Sequence, residues 1–390
     1  MSVTAPRGFR ASGTACGIKA SGELDLALVA VDGPDAVPAA GVFTSNLAAA
    51  APVQVSRAHL ASTSGRAAAV VLSSGNANAA TGAAGRADAA RMCALVAKDL
   101  GVAPEEVLVC QTGLIGMPLP MERLEHGITP AVGALASDVE AGMAAAQAIM
   151  TTDTVRKETV VVGDGFTVGG MAKGAAMLAP DMATMLAVLT TDAACEPDPL
   201  HAALSRAVAQ SFNRLSVDGC TSTNDTVLVL AGGRSARVVG EDEMAEALGE
   251  ACGQLASAMA ADAEGATKVM RVSVTGAASH DQAHRAARKV ADSLLVKCSL
   301  NGADPYWGRV VSELGSAGVA FDLDTVDVSY GEFTVCRGGV AADHDAAALA
   351  QYMAGQHVEI RCALGLGDGS GAVLATDLGH GYIDENRTTS

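Results

Sequence analysis

Gly170-Met-Ala-Lys173-Gly-Ala-Ala-Met177-Leu-Ala-Pro180-Asp-Met-Ala-Thr184-Met-Leu186 is the stretch on which the reading of this chain turns. By composition alone it is a small-residue apolar strand with a turn at Pro180-Asp181. Thr184 is then one more buried β-branched residue. A different chemistry opens if the Ala183–Thr184 peptide bond is cut. Thr184 then becomes an N-terminal residue whose hydroxyl has a base within reach, its own α-amine, with a pKa of about 7.7–8.0. That lies near working pH, where a general base is most effective. Hydroxyl and amine together form the threonine variant of an activated nucleophile. The same hydroxyl can attack the Ala183 carbonyl, giving an ester that water opens.

Acyl transfer also needs donors aimed at the developing oxyanion. Cys110-Gln-Thr112-Gly113-Leu-Ile-Gly116 directly follows a strand expected over 106–110. The Thr112 hydroxyl beside the Gly113 N–H can supply two donors, and glycine allows close approach. An ordinary strand-to-loop turn accounts for the same residues equally well at this level.

The rest of the chain bounds what such a site can serve. Its 390 residues suit two to three domains or one large one, and 49% apolar with 18% charged residues can bury a core. Asp+Glu (43) exceeds Lys+Arg (26), for a net charge of −17, which repels phosphate backbones and anionic membrane surfaces. Aromatics at 3% leave little to stack single-stranded bases. No nucleic-acid or membrane partner is expected. The start, MSVTAPRGFRASG, lacks the apolar core of a secretory signal. The nine cysteines (Cys16, Cys93, Cys110, Cys195, Cys220, Cys252, Cys298, Cys336, Cys362) form no C-x-x-C pair, and their number is odd. They read as reduced thiols of a cytoplasmic protein.

Helical patterns fall at 85–100, 132–150, 199–213, 242–262, 280–294 and 344–354. Asp198 before Pro199 reads as an N-cap with proline at the first helical position, and Ser279 with Gln282 as a capping box. Strand patterns fall at 26–31, 68–73, 106–110, 159–162, 226–230, 269–274, 326–330 and 357–363. The mixture predicts helices covering sheets. Gly365-Leu-Gly-Asp-Gly-Ser-Gly371 fails the spacing of both phosphate-loop motifs and reads as a hairpin turn. His280 and His284 share a helix face as zinc ligands do, but the glutamate of H-E-x-x-H is missing and Arg285 and Arg288 suggest a solvated face. No metal is expected.

The run Gly170-Met-Ala-Lys173-Gly…Met177…Pro180-x-Met-Ala-Thr184-Met-Leu closely resembles the self-cleaving segment of the ornithine acetyltransferases, the bifunctional glutamate N-acetyltransferases of arginine biosynthesis. Matches continue in order along nearly the whole chain: Gly17-Ile-Lys-Ala-Ser-Gly22, Gly41-Val-Phe-Thr-Ser-Asn46, Ser74-Gly-Asn-Ala-Asn78, Thr112-Gly113, Ile149-Met-Thr151-Thr-Asp153, Ser222-Thr-Asn-Asp225, Asp262-Ala-Glu264-Gly, Asp304-Pro-Tyr-Trp-Gly-Arg309 and Asp384-Glu-Asn386. The resemblance implies an α+β fold similar to that of a group of aminopeptidases. Helix layers would surround mixed β-sheets in an αββα-type sandwich, with a smaller α/β second domain roughly within 270–350. It implies cleavage into an α subunit, 1–183, and a β subunit, 184–390, held together as an α2β2 heterotetramer.

The resemblance also implies roles. Thr184 is the nucleophile, Ala183–Thr184 the cleaved bond, and Thr112 and Gly113 the oxyanion donors. Thr151, Lys173, Thr184, Glu264, Asn386 and Ser390 contact substrate; the tail is short, so Thr389 competes with Ser390 for that place. The implied reaction moves the acetyl group of N2-acetylornithine to glutamate through acetyl-Thr184, releasing ornithine and N-acetylglutamate, with no cofactor. Whether acetyl-CoA is a second donor is left open. The alternative is an N-terminal-threonine amidase or aminopeptidase that passes the acyl group to water. Departures from the family pattern are small: Ala176 where glycine is frequent, Tyr306 where asparagine is, and Ala80 where cysteine is.

Overall fold

A strand buried on both faces needs cover on both sides, and Ala69–Asn76 has it: Val70 and Leu72 enter one core, Ala69 and Val71 another. The computed structural model describes residues 2–177 and 185–387. It divides into two compact units, Met1–Asn213 with Cys220–Met259, and the smaller Arg214–Gly219 with Ala260–Ser390.

The first unit runs through β1 (Phe9–Thr14), β2 (Leu26–Val31), β3 (Val37–Phe43), α1 (Ala51–Ser62), β4 (Arg66–Ala67), β5 (Ala69–Asn76), α2 (Gly82–Leu100), β6 (Val107–Leu114), α3 (Met121–Gly133), α4 (Val139–Ala148), β7 (Lys157–Val162), β8 (Thr167–Lys173), β9 (Leu186–Thr191) and α5 (Pro197–Gln210). After a two-residue strand of the second unit, β10 (Leu215–Ser216), it resumes with β11 (Thr226–Ala231) and α6 (Glu241–Ala261). One sheet has the order β1-β2-β5-β6, the other β4-β3-β11-β9-β8-β7. The parallel pairs are β5 with β6 and β9 with β11; the rest are antiparallel.

The two sheets share a core. Val70, Leu72, Leu108 and Cys110 of one join Met171, Leu186, Val188, Leu228 and Leu230 of the other. On the first sheet's opposite face, Leu28, Val71, Val107 and Val109 pack with Val55 of α1, Met92 and Val96 of α2, and Leu124 and Ile128 of α3. In α2 the buried positions Ala89, Met92, Cys93, Val96 and Ala97 keep the spacing of one helix face. The second sheet is covered by α5 on β3 and by α6, whose Leu255 reaches β8 at Gly170. Helix, sheet, sheet, helix is the expected sandwich.

The second unit holds β12 (Val269–Ala277), α7 (His280–Ala291), α8 (Leu294–Asn301), α9 (Trp307–Gly315), β13 (Asp327–Tyr330), β14 (Phe333–Arg337), β15 (Val340–Ala341), α10 (Ala346–Met353), β16 (His357–Ala363), β17 (Gly369–Thr376) and α11 (His380–Asn386). Its mixed sheet has the order β10-β17-β12-β16-β13-β14-β15, and Ala283, Ala286, Ala287 and Val290 of α7 enter its core.

Several local expectations need correction. The helix expected over 132–150 is two helices. Residues 134–138 break it, because Ala136 bridges to Ala11 of β1 and Asp138 caps α4 by accepting the Ala141 N–H at 2.8 Å. The N-cap before α5 is Glu196, not Asp198, so the helix starts at Pro197, which serves as the first helical proline. Ser279 does accept the Gln282 N–H, but the Gln282 side chain accepts from the Ala320 N–H instead of closing the box. Gly365–Gly371 is no hairpin turn: β16 and β17 are separated by β12, so this loop crosses over a strand. Its glycines answer to packing, since a Cβ on Gly369 would lie 2.3 Å from the Ser279 carbonyl oxygen and one on Gly371 2.7 Å from the His284 amide nitrogen. His280 is engaged with this loop, its Nδ1 at 3.0 Å from both the N–H and the C=O of Ser370.

Candidate active site

The β6 strand carries Thr112 and Gly113 to its end, where the ladder with β5 loses regular register: Asn76 faces both Thr112 and Leu114. Gly113 has φ of +133°, and a Cβ there would sit 2.2 Å from the Gly75 carbonyl carbon. Only glycine fits such a position. Thr112 is buried while Gly113 is exposed, so the strand delivers a hydroxyl from the interior and an amide from the surface at adjacent positions.

Lys173 closes β8 beneath them and is only 3% exposed. Its ammonium donates to the Thr151 hydroxyl at 2.6 Å and to the Thr112 hydroxyl at 3.4 Å. An ammonium only donates. Thr112 Oγ1 therefore spends a lone pair on Lys173 and keeps its proton for another acceptor.

A buried charge needs an answer in kind, and Asp153 supplies it. Its Oδ1 accepts from Lys157 Nζ at 2.5 Å and from the Gly174 N–H at 2.7 Å. Its Oδ2 accepts the Thr151 N–H at 3.1 Å and lies 3.8 Å from Lys173 Nζ. Burial alone would push this carboxyl up. The Lys173 and Lys157 charges and the hydrogen bonds from Lys157 and Gly174 outweigh it and bring the value down to about 2. Asp153 thus ties together the loop after α4 that carries Thr151, the end of β8 that carries Lys173, and Gly174 beyond it. Neither Asp153 nor Lys157 was nominated for a role from sequence. The available signal was an acid and a base four residues apart, the base opening the half-buried strand β7.

In the second unit, Glu264 is buried and its Oε2 accepts from Asn386 Nδ2 at 2.7 Å. The same nitrogen donates to the Tyr382 carbonyl at 3.0 Å, which seats Asn386 on the last turn of α11. Of the residues nominated from sequence, Thr112, Thr151 and Lys173 meet directly in the first unit with Gly113 adjoining, and Glu264 and Asn386 meet in the second. Ala183, Thr184 and Ser390 lie outside the described residues. Among the described residues no group of three or more His, Cys, Asp or Glu side chains is placed to hold a metal ion. No helix among them is long and apolar enough to cross a membrane.

Comparison with known proteins gives a consistent result. A family model described as the ArgJ family matches residues 10–388. The arginine biosynthesis bifunctional protein ArgJ of Mycobacterium tuberculosis (strain H37Rv) is 49% identical, covering 100% of this chain and 96% of that protein. The protein of the same description from Thermobifida fusca is 46% identical, with both chains covered in full. Among solved structures, ornithine acetyltransferase complexed with ornithine from Mycobacterium tuberculosis matches at 50% identity over 46% of this chain and 94% of that one, with a TM-score of 0.44.

Proposed function

The chain belongs to the ArgJ family, and we propose that it cuts itself before Thr184 and then moves the acetyl group of N2-acetylornithine to glutamate through an ester on Thr184. It is an acyltransferase of arginine biosynthesis. The observation that carries the finer reading is the buried Lys173 ammonium, hydrogen-bonded to both Thr112 and Thr151 and balanced by Asp153.

The proposed steps follow from that corner. The Thr184 hydroxyl adds to the acetyl carbonyl while its own α-amine takes the proton. Negative charge moves to the carbonyl oxygen, where the Thr112 O–H and Gly113 N–H receive it, with Lys173 polarising Thr112 from behind. The carbon–nitrogen bond breaks, the proton passes to the departing ornithine nitrogen, and the acetyl ester remains. The glutamate amine then attacks this ester through the same oxyanion, and Thr184 recovers its proton. An amide is exchanged for an amide, so the net reaction is close to balance and needs no ATP. Glu264, held by Asn386, is the partner of the ornithine ammonium in this reading. The ester has to be kept from water until glutamate arrives, or the enzyme would be a hydrolase. The α (1–183) and β (184–390) fragments stay together, in an α2β2 assembly.

One sample tests this. Intact mass should show two fragments split at Ala183–Thr184, and ornithine release from N2-acetylornithine should depend on glutamate. Thr184→Ala should stay whole and inactive. Substantial transfer by that variant removes Thr184 as nucleophile, and glutamate-independent loss of the acetyl group turns the enzyme into an amidase. Acetyl-CoA offered in place of acetylornithine decides whether a second donor is used.

A further inference from the structure

Ser222-Thr-Asn-Asp225, which the proposed steps do not use, lies just before β11 and reaches in two directions at once. Asn224 Nδ2 donates to the Gln111 carbonyl at 2.9 Å and to the Ala77 carbonyl at 2.6 Å. It therefore grips β6 one residue before Thr112, and the loop that follows β5. Asp225 Oδ1 accepts the Met185 N–H at 2.8 Å, and the Met185 carbonyl accepts the Thr226 N–H at 3.1 Å. Both backbone polar groups of Met185, the residue covalently joined to Thr184, are held by this segment. The segment is itself pinned from β3: the Thr44 amide donates to the Asp225 carbonyl at 2.9 Å and the Thr44 hydroxyl to the Ser222 carbonyl at 2.7 Å. The second carboxyl oxygen of Asp225 is buried with no hydrogen-bond partner among the described residues.

We propose that Asn224 and Asp225 are positioning residues that set the spacing between the Thr112–Gly113 donors and residue 184, with Asp225 holding the Met185 amide on one buried carboxyl oxygen. This rests on the reading of Thr184 as nucleophile and self-cleavage residue. Burial pushes the Asp225 carboxyl well above the usual range, which favours its neutral form; the Met185 N–H, the nearby Ser222 hydroxyl and the Lys173 charge pull the other way and are outweighed. Neutrality suits the chemistry. An ionised carboxylate bound to the Met185 amide, one residue along the chain from the new α-amine, would favour the ammonium, which cannot take a proton from the threonine hydroxyl. A neutral acid fixes the backbone without that penalty.

The test uses the full chain with Asp225→Asn and Asp225→Ala, following fragment formation by intact mass over time and folding by thermal melting. Asparagine presents the same acceptor with a neutral donor, so Asp225→Asn should process within about threefold of the parent. Asp225→Ala leaves the Met185 N–H unsatisfied and should slow processing by about tenfold or more. A cooperatively melting Asp225→Asn that stays whole overturns the inference, because an ionised carboxylate would then be required. Asp225→Ala processing at the parent's rate overturns it as well. Should the alanine variant fail to melt cooperatively, the asparagine variant decides alone. If the parent itself stays whole while transferring acetyl groups, the Thr184 reading falls, and this inference with it.

Discussion

Asp153 and Asp225 are both buried aspartates of the first unit, and their surroundings push their carboxyls in opposite directions. Asp153 meets two ammonium groups and two backbone N–H donors, enough to overcome its desolvation. Asp225 meets the Met185 N–H and feels Lys173 and Ser222 more weakly, and desolvation wins. The difference teaches that depth of burial does not decide whether a carboxyl is charged; the number of donors that converge on it does. One aspartate fixes a cation beside Thr112. The other holds the backbone of Met185.

The largest expected effect breaks the charged side of this contrast. Asp153→Asn removes the carboxylate paired with the buried Lys157 and should cost about 3–5 kcal/mol in urea unfolding; a loss below about 1 kcal/mol would mean that the pair contributes little. Lys173→Met removes the cation behind Thr112 and should lower the transfer rate by about 10²–10³, the cost of losing one oxyanion donor. Retention of activity within about fivefold would limit Lys173 to a structural part.

A smaller effect sharpens the contrast through pH. The folded value for Asp153 is depressed, so its stabilisation is present above the unfolded value near 3.9 and is lost as pH falls toward about 2. Urea midpoints should fall over that window by an amount worth ~2 kcal/mol, and Asp153→Asn should lack that limb. Asp225 has the reverse sign. Its folded value is raised, so its contribution is fully present below about 3.9 and fades as pH rises and the unfolded carboxyl ionises. Asp225→Asn should therefore melt no lower than the parent at pH 7, with the gap widening as pH rises. If it were destabilised as much as Asp153→Asn, the neutral assignment would fail.

The eight strands expected from sequence each correspond to an observed strand within two residues at the start, because Leu-Ala-Leu-Val-Ala-Val at 26–31 and Thr-Val-Leu-Val-Leu at 226–230 carry their own β preference. Among the strands not expected are small-residue ones, β3 (VPAAGVF) and β17 (GSGAVLAT), beside β9 (LAVLTT) and β14 (FTVCR), whose β-branched residues were signal enough. Alanine and glycine do not announce a strand. They are there because helices and neighbouring strands come close, as at Gly170 against Leu255 and Gly371 against α7. At the site, Thr112-Gly113 was legible because it follows a clear strand, and the Gly113 backbone gives a reason for glycine. Lys157 and Asp225 were illegible, since each reads as one polar residue at the edge of a strand.

By itself the sequence determined the residue chemistry: an acidic, aromatic-poor chain, alternating helix and strand signals, and a threonine and a Thr-Gly pair whose atoms suit acyl transfer. Those properties are local and survive in any conformation. Tertiary structure alone decided which charges meet. Lys173, Thr112 and Thr151 are far apart in sequence and lie within one ammonium's reach, and Asn224 with Asp225 spans from β6 to Met185. Desolvation depends on what the folded chain packs around each group, so the charge of a buried aspartate is a property of the fold and not of its neighbours in sequence.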